Sequence, residues 1–144
     1  MANVGPIVMI EDDPDDQETF LVVLQQLKIK NKVLFFESPS SAWNYLRDTL
    51  DQPFLIFCDV HLPGENGLEF KKKIDDHPPL KEKSIPFVFY STSVDPDTVA
   101  TAYKDITVQG FFKKEKGLQD MQHSMKIIFD YWKLSHHPNS QISF

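Results

Sequence analysis

The feature that most constrains the fold is an alternation, repeated five times, between short apolar runs and segments whose apolar residues recur every three or four positions. The apolar runs are typical of buried strands, and the segments between them are typical of amphipathic helices. Parallel strands need crossover connections, which helices supply, so the alternation predicts a parallel sheet with helices on both faces. The predicted strands lie at residues 7–10, 33–36, 54–58, 87–90 and 110–113.

Three of the predicted helices begin with a capping residue followed by proline, a residue that suits the first helical position. These pairs are Asp13-Pro14, Ser38-Pro39 and Asp95-Pro96. The segment His77-Pro78-Pro79 is interpreted as a breaker before the fourth strand. The apolar helix positions expected to face the core are Phe20, Val23, Leu24, Leu27, Ala42, Leu46, Leu50, Phe70, Ile74, Val99, Ala102, Tyr103, Leu118, Met121, Met125, Ile128 and Trp132.

Length and composition exclude several classes of protein. A chain of 144 residues suits one compact domain. The net charge of −6, with the basic residues scattered, argues against a nucleic-acid surface, which needs a basic stripe. No run approaches the roughly 20 apolar residues of a membrane-spanning helix. The single cysteine, Cys58, lies in an apolar run, so we expect a buried, unreactive thiol in a reducing, cytoplasmic compartment.

Polar residues follow four of the predicted strands at the point where each strand ends. The carboxyl ends of parallel strands meet at one edge of the sheet, where such folds bind their ligands. Carboxylates that hold a hard divalent cation, a nucleophilic carboxylate, a hydroxyl and an ammonium together suit phosphoryl transfer. The residues at these strand ends are Glu11, Asp12, Asp13, Asp59, Ser91, Thr92, Lys113 and Lys114.

Several of these charged residues have simpler explanations. Asp13, Asp15 and Asp16 are interpreted as helix-start residues that suit the positive end of the helix dipole, and they are left outside the site. Lys113 and Lys114 are adjacent in a strand, where alternation sends them to opposite faces, so only one of them can point into the site.

In the order of these motifs the chain resembles the receiver domains of two-component response regulators. The residues that carry the resemblance are Glu11-Asp12, the run from Asp59 to Gly67 with the sequence DVHLPGENG, Ser91 and Lys114. The resemblance covers roughly residues 5–134 and implies a flavodoxin-like, doubly wound (βα)₅ domain with strand order 2-1-3-4-5. Residues 135–144 are then expected to form a flexible tail.

The resemblance assigns the acidic residues to acceptor and metal roles. It implies that Asp59 accepts a phosphoryl group from a sensor histidine kinase or a histidine phosphotransfer protein. It also implies that Mg²⁺ is held by Asp12, Asp59 and the backbone carbonyl of His61, with Glu11 reaching the ion through water.

The resemblance assigns the remaining residues to sensing the phosphoryl group. Lys114, rather than Lys113, is expected to pair with Asp59 and then with a phosphoryl oxygen, and the Ser91 hydroxyl to bond another such oxygen. Ser91 and Phe111 are the expected switch residues, whose movement remodels the face formed by the fourth predicted helix, the fifth strand and the last helix.

A protein of this kind is expected to catalyse its own phosphotransfer and slow dephosphorylation, and to signal by docking to a downstream protein. We expect a cytoplasmic monomer or weak phosphorylation-dependent dimer, with no nucleic-acid or membrane partner. One alternative is a receiver-like interaction module that is never phosphorylated; the retained acceptor, acid pair and lysine argue against it. A second is a magnesium-dependent phosphatase, whose nucleophilic aspartate would follow the first strand.

The chain departs from the family pattern after the lysine, where proline is usual and Glu115 stands instead. A cis peptide bond costs about 0.5–1 kcal/mol before proline but about 2.5–4 kcal/mol before any other residue. We therefore expect a trans Lys114–Glu115 bond, with the long lysine side chain still able to reach Asp59.

Overall fold

A computed structural model describes residues 4–92 and 94–136, and it confirms the predicted fold. Five parallel strands form one sheet in the order β2-β1-β3-β4-β5. The predicted tail lies outside the described residues from position 137 onward. The strands are β1 Ile7–Ile10, β2 Val33–Phe36, β3 Leu55–Cys58, β4 Phe87–Ser91 and β5 Gly110–Lys113.

The predicted caps form as expected. The side chains of Asp13, Ser38 and Asp95 each accept a hydrogen bond from a backbone N–H in the first helical turn, and each is followed by proline. The longest helix spans 17 residues, and no helix in the described part of the chain is long and apolar enough to cross a membrane. The helices are α1 Pro14–Gln26, α2 Pro39–Asp48, α3 Gly67–Asp75, α4 Pro78–Lys83, α5 Pro96–Lys104 and α6 Leu118–Leu134.

Some expectations about the helices are wrong. The predicted breaker does follow the end of α3 at Asp75, but it also begins the short helix α4, which was not predicted. Proline is tolerated in a first helical turn, because the missing N–H has no helical partner there. Leu50 is fully exposed because α2 ends at Asp48, before the residue is reached. Tyr103 and Leu118 keep about half of their surface exposed rather than facing the core.

The sheet separates two apolar clusters, because alternate residues of each strand point to opposite faces. In β1, Ile7 and Met9 pack with α1 and α6, whereas Val8 and Ile10 pack with α2, α3, α4 and α5. Cys58 belongs to the second cluster and is buried, as predicted, and burial raises the pKa of its thiol well above the ordinary value. The sheet is therefore covered on both sides, and its carboxyl edge is left for the site.

Gly67 brings the start of α3 against the end of β3. Its N–H donates to the carbonyl oxygen of Val60 at 2.8 Å. A Cβ at this position would collide with the backbone carbonyl of Asp59 and would lie 2.9 Å from the ring of Phe89. Only glycine permits this close approach, so α3 is seated directly on the backbone of the segment that carries Asp59.

The other end of α3 is fixed by a buried ion pair. Nζ of Lys71 donates to Oδ1 of Asp75 at 2.7 Å and to Oγ1 of Thr107 at 3.3 Å, while the backbone N–H of Thr107 donates to Oδ2 of Asp75 at 2.9 Å. Burial lowers the pKa of Lys71 despite its acidic partner, and the bonds to Lys71 and Thr107 lower the pKa of Asp75 despite its burial. The pair ties α3 to the segment before β5.

Asp75→Asn is expected to lower the free energy of unfolding by about 3 kcal/mol, because it leaves the Lys71 ammonium buried without its counter-charge. Lys126 and Asp130 form a matched control pair, also four residues apart on one helix and also 2.7 Å apart, but with 64% and 53% of their side-chain surface exposed. Asp130→Asn should cost less than about 0.5 kcal/mol. Urea denaturation measures both changes, and equal losses in the two variants would contradict the role given to burial.

Candidate phosphoryl-transfer site

Glu11 is the innermost carboxylate of the site and is 2% exposed. Its backbone continues the β1–β2 ladder by donating to the carbonyl oxygen of Phe36 at 2.9 Å, which carries the residue into the sheet edge. Its own carbonyl oxygen accepts from Nε2 of Gln17 at 2.7 Å, and its Oε2 accepts from the backbone N–H of Asp13 at 3.2 Å. The start of α1 therefore fixes both the backbone and the side chain of Glu11.

Asp59 follows β3 and lies beside the end of β1, because its N–H donates to the carbonyl oxygen of Ile10 at 3.1 Å. Its Oδ1 accepts from the backbone N–H of His61 at 3.1 Å, and its Oδ2 accepts from Nζ of Lys114 at 3.0 Å. His61 itself is exposed. Both carboxylate oxygens of Asp59 therefore have a donor, and the group is held in one orientation.

Lys114 supplies the positive charge of the site, as predicted. Its backbone N–H donates to the carbonyl oxygen of Ser91 at 2.9 Å, which places the residue one position past β5 and turns its side chain inward. The ammonium contacts the carboxylates of Glu11, Asp16 and Asp59. The neighbouring Lys113 is exposed, as strand alternation requires.

Burial and these contacts shift the pKa values of the two central groups. Burial raises the pKa of Glu11 to about 7, and the hydrogen bond from Lys114 only partly opposes the shift. Burial alone would lower the pKa of Lys114, but its hydrogen bonds to Asp16, Glu11 and Asp59 outweigh this and raise the pKa above the ordinary lysine value. The ammonium therefore stays charged while the Glu11 carboxyl titrates near neutrality.

The expectation that Asp16 lies outside the site is wrong. Asp16 does stand in the first turn of α1, as a helix-start residue should. Its Oδ2 also lies 2.8 Å from Nζ of Lys114, which is 98 positions away in sequence. One signal in the sequence could have indicated a second role for Asp16. Asp13 already caps the helix and Asp15 already places a negative charge near the positive end of the helix dipole, so Asp16 is not needed for either purpose.

Ser91, Phe111 and Asp12 are the remaining predicted site residues. Ser91 is fully buried at the end of β4, and Phe111 is half-buried in β5 with its ring centroid 5.5 Å from that of Phe89. Asp12 is exposed next to Glu11. The described residues contain no cis peptide bond, so the trans Lys114–Glu115 bond is confirmed.

The chemistry of the donor set fits a hard divalent cation, because the carboxylates of Asp12 and Asp59 and the carbonyl of His61 offer oxygen atoms only. Within residues 4–92 and 94–136, however, no group of three or more His, Cys, Asp or Glu side chains is arranged around a common point as a metal site. Asp59 directs one oxygen to Lys114 and the other to the His61 N–H.

Carboxylates and an ammonium at the carboxyl edge of a doubly wound sheet are the arrangement expected of a phosphoryl-accepting signalling domain. The chain belongs to the response regulator receiver domain family, whose characteristic sequence pattern matches residues 7–126. The resemblance predicted from the sequence is thereby confirmed.

Individual relatives match this chain over most of the length of both proteins. Response regulator Rcp1 of Synechocystis sp. is 27% identical over 131 residues, which cover 88% of this chain and 87% of the relative. The phosphorylated cyanobacterial phytochrome response regulator RcpA has 27% sequence identity to this chain. Its crystal structure superimposes on this structure with a TM-score of 0.82, covering 93% of this chain and 98% of RcpA. The Mn²⁺-bound form of Rcp1 is 26% identical, with a TM-score of 0.78 over 92% and 96% of the two chains.

The raised pKa of Glu11 predicts a pH-dependent stability. The folded state holds the Glu11 proton up to about pH 7, whereas the carboxyl of the unfolded chain loses it near the ordinary glutamate pKa of 4.5. The free energy of unfolding should therefore fall as pH rises through this window, by an amount on the order of 2 kcal/mol. In Glu11→Gln, which has no carboxyl group at this position, the free energy of unfolding should not show this fall with pH. Urea denaturation from pH 4.5 to 8 in a metal-free buffer measures it, and parallel profiles for the two proteins would refute the shift.

Proposed function

We propose that the protein is a phosphorylation-dependent signalling protein that accepts a phosphoryl group on Asp59. The observation that supports this most directly is the pair formed by Oδ2 of Asp59 and Nζ of Lys114, 3.0 Å apart at the carboxyl edge of the sheet. A carboxylate that is 11% exposed is reachable by a donor yet fixed in direction by two hydrogen bonds. A nucleophile needs both accessibility and a fixed orientation toward the group that it attacks.

The proposed donor is the phosphohistidine of a sensor histidine kinase or a histidine phosphotransfer protein. A carboxylate oxygen of Asp59 attacks phosphorus, the phosphorus–nitrogen bond breaks, and its electron pair remains on the imidazole, which takes up a proton. Lys114 offsets the negative charge that collects on the phosphoryl oxygens. The backbone N–H of His61 keeps the acceptor carboxylate oriented while this occurs.

Mg²⁺ is the proposed cofactor, with Asp12, Asp59 and the His61 carbonyl as its protein ligands and Glu11 reaching it through water. When bound, such an ion neutralises charge shared between the acceptor and the incoming phosphoryl oxygens. The oxygen-only donor set supports a hard cation. The Mn²⁺-bound form of the relative Rcp1 supports a divalent ion in this family.

Ser91 and Phe111 are the proposed switch residues. Ser91 is buried at the end of β4, and its carbonyl oxygen holds the Lys114 backbone, so these two residues share one hydrogen bond beside the acceptor. The Phe111 ring packs against the ring of the β4 residue Phe89 on the side of α5. A shift of the Ser91 hydroxyl toward a phosphoryl oxygen would be accompanied by movement of the Phe111 ring, which would alter the face formed by α5, β5 and α6.

The proposed output is docking of this altered face to a downstream protein, by a cytoplasmic monomer or weak dimer with no nucleic-acid or membrane partner. Residues 5–134 would form the signalling domain, with 135–144 as a tail. The alternative is an interaction module that is never phosphorylated. The intact cluster of Glu11, Asp59 and Lys114 favours phosphorylation, because a module without this chemistry has no need of a buried ammonium among carboxylates.

Asp59→Asn should fold normally, since the side chains have the same shape, but should take up no phosphoryl group. Incubation with radiolabelled acetyl phosphate and Mg²⁺ measures the uptake, with one phosphoryl group per chain expected for the wild-type protein. Asp97→Asn, an exposed aspartate at the start of α5, is the control and should label fully. Full labelling of Asp59→Asn would place the acceptor elsewhere, and an unlabelled wild-type protein would favour the interaction module.

Mg²⁺ should raise the thermal stability of the protein by mass action, by about 1.4 kcal/mol at a concentration about ten times its Kd. Asp12→Ala should remove most of this gain, because it deletes a proposed ligand. Asp15→Ala, an exposed acid in the neighbouring helix turn, should keep it. Thermal denaturation with and without Mg²⁺ tests the assignment, and an undiminished gain in Asp12→Ala would contradict the proposed ligand set.

A further inference from the structure

We infer that Asp16 is a positioning residue of the phosphorylation site: its carboxylate competes with Asp59 for the Lys114 ammonium and thereby slows phosphoryl uptake. The inference rests on the proposed function, because it concerns the rate of the reaction at Asp59. The distances that carry it are 2.8 Å from Nζ of Lys114 to Oδ2 of Asp16 and 3.0 Å from the same Nζ to Oδ2 of Asp59. One ammonium is shared between α1 and the acceptor.

Asp16 is not needed to keep Lys114 in the crevice. The ammonium is also held by Glu11 and Asp59, whose side chains are 2% and 11% exposed. Asp16 is 40% exposed and approaches from the solvent side of the cluster. Without Asp16, the nearly buried carboxylates of Glu11 and Asp59 would still hold the Lys114 ammonium in the crevice. Asp16 therefore affects the site in two ways: it adds a negative charge, and it occupies one N–H donor of Lys114.

Both of these contributions oppose phosphorylation. An incoming phosphoryl group adds negative charge to a cluster that already holds more carboxylates than ammonium groups. To stabilise the transfer, Lys114 must direct its N–H groups at phosphoryl oxygens, and it has only three of them. While Asp16 accepts one, fewer remain for the phosphoryl group. Neutralising Asp16 removes a repelling charge and weakens the hydrogen bond that occupies one of the donors.

The test is Asp16→Asn, labelled with acetyl phosphate over a range of donor concentrations at a fixed, saturating Mg²⁺ concentration. The maximal labelling rate should rise by about 2- to 5-fold, as expected for a partly exposed ion pair. The donor concentration for half-maximal rate should change less, because Lys114 acts on a phosphoryl group that is already bound. Asp16→Glu, which keeps the charge, should retain the slow rate of the wild-type protein.

Asp15→Asn is the matched control, because Asp15 lies in the same helix turn, carries the same charge and is exposed. It should leave the maximal rate close to that of the wild-type protein. An unchanged or reduced maximal rate in Asp16→Asn, or an equal rise in Asp15→Asn, would overturn the inference. A change confined to the half-maximal donor concentration would do so too, since it would indicate a general charge effect on donor binding. An unlabelled wild-type protein would instead refute the proposed function itself.

Discussion

The ammonium of Lys114 is the group that allows several carboxylates to lie together at one edge of the sheet. Glu11 and Asp59 are nearly buried, and without a positive charge between them their mutual repulsion and their loss of water would oppose folding. The same ammonium also draws in Asp16 from α1. The cluster is thus a balance in which one cation offsets several anions, and Glu11 remains close to protonation. A phosphoryl group added at Asp59, as proposed, would bring further negative charge into this cluster and disturb the balance.

The parallel sheet makes this cluster possible, because it brings together residues that are remote in the chain. Glu11, Asp59 and Lys114 follow three different strands, and the pairs they form join residues 103 and 55 positions apart. Each residue is placed by a backbone bond to a neighbouring strand or strand end, through Phe36, Ile10 and Ser91 respectively. The positions of these residues are therefore fixed by backbone hydrogen bonds to the sheet rather than by the loops in which the residues lie.

Features set by local chemistry were predictable from the sequence, and those set by tertiary placement were not. The caps at Asp13, Ser38 and Asp95 follow from short-range rules of capping. Alternation shows only that one of Lys113 and Lys114 can face the site, and the family resemblance supplied the choice of Lys114. The exposure of Leu50 was missed, because periodicity describes the face of a helix but not its last residue. The contact of Asp16 with Lys114 was missed because it depends on how the first turn of α1 lies against the end of β5, which no local pattern encodes.

The seating of α3 has a mechanical consequence. This helix is anchored at its first residue, where Gly67 touches the backbone of Asp59, and at its last, where Asp75 bonds Lys71 and Thr107. On the same side of the sheet α5 buries only Ala102. A helix fastened at both ends resists displacement, whereas one with little buried surface yields at low cost. The structure therefore holds α3 firmly beside Asp59 and holds α5 less firmly. We expect any displacement caused by the proposed phosphorylation to occur at α5 rather than at α3.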